Sequence, residues 1–173
     1  LEGDLPEELL GIARDYDITK YIAIPEIKIL EGVRRSGKST LIYQIVQHGL
    51  NHGKKVLYVN FDDEVLRKYS LSDIYYAYLQ RGKVEYLLLD EIQHCGEWVP
   101  FIRKSYDRKV FAQIWITGSN SSLINKEYAE LLTGRNLKVR IHPLSFSEFC
   151  RFKDLGVINL PVTRDLESKI KNL

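Results

Sequence analysis

The sequence predicts an α/β fold with a central, mostly parallel sheet of five strands. Short apolar runs alternate with segments whose apolar residues have helical spacing, which is typical of chains that build parallel sheets. Residues 86–89 are apolar without interruption, as expected for a strand that is covered on both faces. A glycine-rich turn separates the first apolar run from the first long helical segment, which is also typical of α/β units.

The first half of the chain alternates helix and strand. Asp4, with a glutamate three residues later, has capping-box spacing and predicts a short helix over residues 5–16. Residues 27–30 form a compact apolar run and are predicted to be the first strand. From Lys38 onwards the apolar residues recur at helical spacing until a glycine stops the helix, and residues 54–61 are the next predicted strand.

The second half of the chain repeats this alternation. Residues 62–80 are predicted to be an irregular helical region, with a helix start at Ser70 or Ser72. Residues 97–106 have an apolar helical face, which requires Pro100 to lie in the first turn. The remaining predicted strands are residues 85–90, 111–117 and 137–142, and the remaining predicted helices are residues 121–132 and 144–150.

The composition is that of an ordinary globular protein and excludes several classes. A chain of 173 residues suits one domain with a sizeable core. The formal net charge of +2 is too small to indicate nucleic-acid or membrane binding by itself. The apolar runs are too short to span a bilayer, and the first residues lack the pattern of a signal peptide. Cys95 and Cys150 are too few for a disulfide framework, so reduced thiols and a cytoplasmic location are expected.

Residues 31–40 read EGVRRSGKST and match the pattern G-x-x-x-x-G-K-[ST] of a phosphate-binding loop, the P-loop (residues 32–39). Gly32 and Gly37 allow the turn and the close approach of backbone N–H groups to an anion. Lys38 reaches the β- and γ-phosphates, Ser39 offers its hydroxyl to Mg²⁺, and Thr40 can contact the α-phosphate region. The predicted nucleotide contacts are Gly32, Val33, Arg34, Arg35, Ser36, Gly37, Lys38, Ser39 and Thr40.

Two arginines lie inside the P-loop, where a simple turn does not need them. In such loops the backbone faces the phosphates, so Arg34 and Arg35 are expected to point outward. They are either two solvated side chains at permissive positions or a positive rim that faces a neighbouring subunit or a nucleic acid. The sequence leaves both interpretations open.

Asp90 and Glu91 follow directly on a buried strand. A strand that ends in aspartate at the carboxyl edge of a parallel sheet points this carboxylate at the ligand crevice. Asp90 is therefore predicted to hold Mg²⁺ through water, as a Walker B aspartate does, and Glu91 to deprotonate the attacking water. Two acids at a helix start are the plainer interpretation, but beside a complete P-loop the catalytic interpretation is favoured.

The strand over residues 111–117 is predicted to lie between the P-loop strand and the Asp90 strand. Its polar tip would then face the γ-phosphate and could position the attacking water. Asn120 is the first candidate for this sensor, and Ser119 and Thr117 are the alternatives. A plain turn explains the same residues about equally well, since glycine, serine and asparagine favour turns.

Arg135 follows a glycine and could stabilise transition-state charge in this subunit or in a neighbour; a surface arginine before a strand is the plainer interpretation. His94 and Cys95 are adjacent, and the spacing of the other histidines and cysteine does not suit a zinc site. His142, before a proline, is predicted to be structural. The serines of residues 119–122 lack a neighbouring histidine and aspartate pattern, so a hydrolase triad is rejected.

Five short segments, in this order, resemble segments shared by archaeal and bacterial AAA+-type ATPases of poorly defined role. They are GVRRSGKST (32–40), LLLDEIQ (87–93), WITGSN (115–120), LLTGR (131–135) and HPLSFSEF (142–149). The resemblance covers roughly residues 20–153, and the later segments make it far more specific than a P-loop alone.

The resemblance implies a three-layer αβα sandwich of the AAA+ type that binds ATP and Mg²⁺, with Glu91 as catalytic base. It supports a sensor at residues 119–120 and makes Arg135 a candidate phosphate-sensing or intersubunit arginine. Residues 1–153 are expected to form the ATP-binding core, and residues 154–173 to begin a lid or C-terminal module. A second-sensor arginine is not recognisable in the sequence.

Two functions are compatible with these features. The first is a Mg²⁺-dependent ATPase that converts hydrolysis into conformational change, acting on DNA or protein and assembling as a homo-oligomer. The second is a nucleotide-gated signalling switch with slow turnover, which the presence of Glu91 disfavours. A small-molecule kinase is disfavoured further, because neither an acceptor pocket nor an arginine-rich lid is recognisable. A membrane partner is not expected.

Overall fold

A five-stranded parallel sheet lies at the centre of the computed structural model, which describes residues 10–118 and 132–153. In chain order the strands are β1 (Ile27–Glu31), β2 (Val56–Asn60), β3 (Tyr86–Asp90), β4 (Gln113–Thr117) and β5 (Asn136–Arg140). The α-helices whose bounds lie within these ranges are α1 (Ile18–Ile22), α2 (Lys38–Asn51), α3 (Leu71–Leu79), α4 (Trp98–Asp107) and α5 (Phe146–Phe152).

The strands lie in the order β2-β3-β4-β1-β5, and every neighbouring pair is parallel. Thr117 at the end of β4 lies opposite Leu30 of β1, and Ile116 lies opposite Leu89 of β3. The carboxyl ends of the strands therefore meet along one edge of the sheet, called the carboxyl edge below. The order confirms the prediction that β4 separates the P-loop strand from the Asp90 strand.

Hydrophobic layers lie on both faces of the sheet, because successive residues of a strand point to opposite faces. In β1, Ile29 belongs to a buried cluster that contains Trp98 and Ile102 of α4. Leu30 points to the other face and belongs to a second cluster with Ile42 of α2. Full burial of such an isoleucine or leucine side chain contributes about 1.5–3 kcal/mol. The fold is therefore the predicted α/β sandwich with helices on both sides of the sheet.

Local signals in the sequence determine where several helices begin. Ser70 accepts a hydrogen bond from the backbone N–H of Asp73 and caps α3, so the earlier of the two predicted starts is correct. Pro100 is the third residue of α4 and lies in the first turn, where its missing N–H disrupts no helical bond. Ser145 caps α5 through the backbone N–H of Glu148.

The predicted helix over residues 5–16 is wrong for residues 11–16, called the strap below, which are irregular. Gly11 has a φ of +55°, in the left-handed region. Gln44 of α2 donates from its Nε2 atom to the carbonyl oxygens of Leu10 (2.9 Å) and Ile12 (2.8 Å). A continuing helix would need these carbonyls for its own hydrogen bonds. The tertiary contacts with α2 therefore override the helical pattern, and the helix does not form here.

Several predictions lie outside the described residues, among them most of the helical region 121–132 and the module of residues 154–173. Cys95 and Cys150 are buried free thiols, and burial raises the pKa of the Cys95 thiol. In the described part of the chain, every helix is too short or too polar to cross a membrane.

Candidate functional site

The P-loop follows β1 at the carboxyl edge and ends where α2 begins. Gly37 has a φ of +90° and Arg35 one of +65°, so the loop passes twice through the left-handed region. A Cβ atom on Gly32 would lie 2.3 Å from the carbonyl oxygen of Ile141, just after β5. The loop therefore packs too closely on the neighbouring strand end for a side chain at Gly32.

Lys38 is buried inside the curve of the P-loop although it carries a charge. Its Nζ atom donates to the carbonyl oxygens of Gly32 (3.0 Å) and Val33 (3.2 Å). Two of the three ammonium protons are used in these contacts, and the third can be donated to a phosphate oxygen. Ser39 and Thr40 follow in the first turn of α2 and are half-buried. This arrangement suits the predicted contacts of all three side chains.

The two arginines of the loop are exposed, in agreement with the outward orientation expected from the sequence. Val33 is also exposed. Ser36 differs from these neighbours, because it is buried and its hydroxyl has no hydrogen-bond partner among the described residues. An unpaired buried hydroxyl in the loop can serve a bound ligand without losing a protein contact.

Asp90, the last residue of β3, is buried and accepts hydrogen bonds from two hydroxyl groups. Thr117 at the end of β4 donates from Oγ1 to Asp90 Oδ1. Tyr58 of β2 donates to Asp90 Oδ2 at 3.3 Å. The carboxylate is therefore oriented by side chains from the strands on both sides, at the edge where the P-loop also lies.

Glu91 follows in the left-handed conformation, with a φ of +51°. Its backbone N–H donates to Thr117 Oγ1 at 3.1 Å, and its carboxylate accepts from the Nε2 atom of Gln93. The turn moves Glu91 out of the strand, and its side chain is half-buried, while Asp90 stays in the sheet. Thr117 contacts both members of the acidic pair. The other two sensor candidates, Ser119 and Asn120, lie outside the described residues.

Tyr58 is a site residue that the sequence reasoning missed. Burial, the hydrogen bond with Tyr43 and the nearby carboxylate of Asp90 raise the pKa of its phenol, so it stays a neutral donor. The signal in the sequence is weak, because a tyrosine in a strand is normally explained by packing. Only the pairing of β2 with β3 shows its partner.

Arg135 lies at the amino ends of the strands, whereas the P-loop lies at their carboxyl ends. Its carbonyl oxygen accepts from the N–H of Ile27, at the start of β1, and its guanidinium pairs with Asp107 at 2.7 Å. A strand of five residues separates these edges by about 17 Å. The predicted phosphate contact within the same subunit therefore does not fit this geometry, whereas a contact with a neighbouring subunit stays a prediction.

Arg14 and Glu148 form a buried ion pair behind the P-loop, which the sequence reasoning also missed. The Nε atom of Arg14 donates to Glu148 Oε1 at 2.8 Å. The other guanidinium nitrogens donate to the carbonyl oxygens of Ser36 and His142, each at 2.7 Å. The contact with His142 uses only its backbone, so a structural role for its side chain stays a prediction. Burial opposes ionisation of Glu148, but hydrogen bonds from Arg14, Ser145 and Asp15 outweigh it and lower its pKa to about 2.

A family model and two sequence relatives match most of the chain. A family model described as "AAA domain" matches residues 25–150. An uncharacterized protein of Methanocaldococcus jannaschii is 40% identical over 151 residues, which are 84% of this chain and 32% of that protein. An uncharacterized protein of Haemophilus influenzae is 35% identical over 140 residues, which are 75% of this chain and 34% of that protein. The chain thus spans about a third of the length of these relatives.

Solved structures share the fold. AMPPCP-bound DnaA from Aquifex aeolicus has a TM-score of 0.54 at 16% identity, over 88% of this chain and 53% of DnaA. The Aeropyrum pernix ORC1 protein in complex with DNA has a TM-score of 0.56 at 15% identity, over 87% of this chain and 51% of ORC1. Because the family model spans the sheet together with its P-loop and acidic pair, the chain belongs to the AAA domain family.

Proposed function

We propose that this domain binds ATP together with Mg²⁺ and hydrolyses the ATP to drive a conformational change. The observation that carries the proposal is the shared carboxyl edge of three neighbouring strands: β1 leads into the P-loop, β4 ends in Thr117 and β3 ends in Asp90. Neighbouring strands are about 4.8 Å apart, so two intervals place the end of β1 about 10 Å from Asp90. This separation leaves room for phosphates and a metal ion between the P-loop and the acidic pair.

The side chains present fit both ligands. The P-loop would offer the Lys38 ammonium and its backbone N–H groups to phosphate oxygens. Ser39 would bind Mg²⁺ through its hydroxyl and Asp90 would hold the ion through water, and oxygen donors are the ligands that Mg²⁺ prefers. Bound Mg²⁺ supplies positive charge that neutralises the phosphates.

Glu91 is the proposed general base. Its carboxylate takes a proton from the water whose oxygen attacks the γ-phosphorus, while ADP leaves with the electrons of the broken bond. Thr117 fixes the position of Glu91 through the backbone N–H and orients Asp90 through its hydroxyl. Asn120 is retained as the proposed sensor of the γ-phosphate, with Thr117 as the residue that connects the strand tip to the acidic pair.

A slow nucleotide-gated switch is the second candidate, and one observation favours it. The carboxylate of Glu91 is engaged by the amide of Gln93. A base that is held in this way must release its partner before it can orient water, which would lower turnover. Burst and steady-state hydrolysis distinguish the two functions, since a switch turns over once and then retains ADP.

Assembly and partners follow from the proposal and from the structural neighbours. Arg135, at the edge opposite its own P-loop, is proposed to contact the nucleotide of an adjacent subunit in a homo-oligomer. Because solved neighbours include ORC1 with DNA and DnaA with single-stranded DNA, DNA is the first partner to test, and protein the second. A cytoplasmic location is proposed from the two reduced thiols.

Glu91→Gln tests the catalytic assignment, with Glu85→Gln as the matched control. Glu85 precedes β3 at the other edge and pairs with Lys54. A general base contributes about 10²–10⁴-fold, so Glu91→Gln should bind ATP normally and lose at least about 100-fold in turnover. The control should keep the parent rate. Hydrolysis by Glu91→Gln at the parent rate would refute the assignment.

A further inference from the structure

The guanidinium of Arg14 is unusual because it is almost completely buried and contacts three separate parts of the fold. Its side chain is 2% exposed. It reaches from the strap to the P-loop at Ser36, to the segment after β5 at His142, and to α5 at Glu148. Burying an arginine costs free energy, because the charge loses its hydration, unless an opposite charge and well-placed hydrogen bonds compensate.

The contact with Ser36 determines the direction of one peptide group in the P-loop. A trans peptide is planar, so the carbonyl of Ser36 and the N–H of Gly37 point in opposite directions. Arg14 holds the carbonyl on the side of the strap at 2.7 Å. The N–H of Gly37 must then point away from the strap, into the loop, where P-loop amides collect a phosphate.

The guanidinium also restricts residue 37, whose φ of +90° already favours glycine. A Cβ atom on Gly37 would lie 2.3 Å from Nη1 of Arg14. The guanidinium therefore occupies the space directly behind the loop. Arg34 and Arg35, in contrast, are exposed.

Glu148 fixes the guanidinium from the other side and connects it to α5. Its Oε1 atom accepts from Arg14 and from the backbone N–H of Asp15, each at 2.8 Å. Its Oε2 atom accepts from the backbone N–H of Ser145 at 2.7 Å, as part of the cap of α5. One carboxylate thus links the strap, the start of α5 and, through Arg14, the P-loop.

We propose that Arg14 is a positioning residue for nucleotide binding, which keeps the N–H of Gly37 turned toward the bound phosphate. Glu148 binds both Arg14 and the start of α5, and so connects this part of the P-loop to α5. The charge of Arg14 is balanced by Glu148, so Arg14 acts by orientation, and Lys38 supplies the charge that meets the phosphate. This inference rests on the proposed function of the P-loop as the ATP site.

The test measures the affinity of the folded protein for two probes, ATP with Mg²⁺ and inorganic tripolyphosphate. The variants are Arg14→Ala, Arg14→Lys and Glu148→Gln. The control is Arg151→Ala, because Arg151 contacts Asp15 and the carbonyl of Ala13 in the strap rather than the P-loop. Circular dichroism fixes a temperature at which each variant is folded, so that a loss of stability is not mistaken for a loss of affinity.

Loss of the bond to Ser36 should weaken binding of both probes about tenfold or more in Arg14→Ala. Arg14→Lys keeps the charge but cannot make all three bonds, so it should recover only part of the affinity. Methylguanidinium should restore binding to Arg14→Ala, because the ion refills the vacated space, and should not restore binding to Lys38→Ala. Arg151→Ala should match the parent protein.

Each other outcome has a defined meaning. If Arg14→Ala binds both probes as tightly as the parent protein, the proposed role of Arg14 is wrong and the proposed ATP site is unaffected. A parent protein that binds tripolyphosphate but not ATP would refute the ATP proposal, while the variants would still decide the role of Arg14. A parent protein that binds neither probe would overturn both. If Arg14→Ala does not fold, Arg14→Lys and Glu148→Gln decide, and parent affinity in both contradicts the inference.

Discussion

Replacement of Thr117 by valine is expected to damage both stability and the acidic pair. Thr117 is fully buried, and valine has nearly the same shape, so packing is preserved. The hydroxyl is lost, which removes the donor to Asp90 and the acceptor of the Glu91 N–H. Each buried polar group that loses its partner costs about 1–3 kcal/mol. Asp90 keeps its hydrogen bond from Tyr58, and Glu91 is only half-buried, so we expect a total loss of about 2–4 kcal/mol.

The assay is urea unfolding of the parent, Thr117→Val and Thr117→Ser. Urea unfolding measures the loss in the free energy of unfolding directly. In thermal unfolding, a loss of about 2–4 kcal/mol would lower the melting temperature by roughly 4–16 °C for a domain of this size. Thr117→Ser keeps the hydroxyl and loses one methyl group, so it should cost only about 1 kcal/mol. Thr117→Val should also lower ATP turnover more than ATP affinity, because Glu91 loses its anchor. A valine variant as stable as the parent, or equal destabilisation by serine and valine, would show that the Thr117 hydroxyl does not stabilise the acidic pair.

Two further predictions follow from other parts of the structure. Gly32→Ala should abolish nucleotide binding, because its Cβ would lie 2.3 Å from the carbonyl of Ile141; a fluorescent ATP analogue tests this, and parent affinity would contradict the close approach. Lys28 in β1 is fully buried, and burial lowers its pKa from 10.5 to about 8 despite the opposing charge of Glu26. Between pH 8 and pH 10.5 the unfolded chain binds more protons at Lys28 than the folded chain does. The contribution of Lys28 to the free energy of unfolding is therefore lowest below pH 8 and rises by about 3 kcal/mol up to pH 10.5. Urea unfolding across this range should show a smaller rise for Lys28→Met than for the parent or the exposed control Lys104→Met, and equal slopes would exclude Lys28 as the source.

The sequence was most informative where the chemistry lies in consecutive residues. The P-loop pattern, the strand before it and α2 after it are local, and the structure places all three as predicted. The strand of Asp90 was also recognisable, because a continuous apolar run indicates burial on both faces. The position of β4 between β1 and β3 followed from the same motifs and is confirmed by the strand order.

Contacts between distant segments were not recognisable. Arg14 and Glu148 are 134 positions apart, and both lie in segments whose local patterns point elsewhere. Glu148 has capping-box spacing from Ser145, which explains a helix start but does not identify Arg14 as a partner. The strap has a helical pattern but is irregular, because the carbonyls of Leu10 and Ile12 bond to Gln44, a tertiary contact without a local signal.

The position of Arg135 can be inferred from the order of the elements in the sequence. It directly precedes β5, and β5 is parallel to β1. Residues before a parallel strand lie at the amino edge, whereas the P-loop follows β1 at the carboxyl edge. The order of elements alone therefore places Arg135 away from its own nucleotide site, and the pair with Asp107 agrees with this position.

Protection against thermal unfolding by ATP and Mg²⁺ measures whether the P-loop binds a nucleotide. A ligand that binds only the native state at 100 times its Kd adds about 2.7 kcal/mol to the free energy of unfolding. The parent protein should therefore melt several degrees higher with ATP and Mg²⁺, and Lys38→Ala should show almost no shift. The absence of a shift in the parent protein, or an equal shift in Lys38→Ala, would contradict the account.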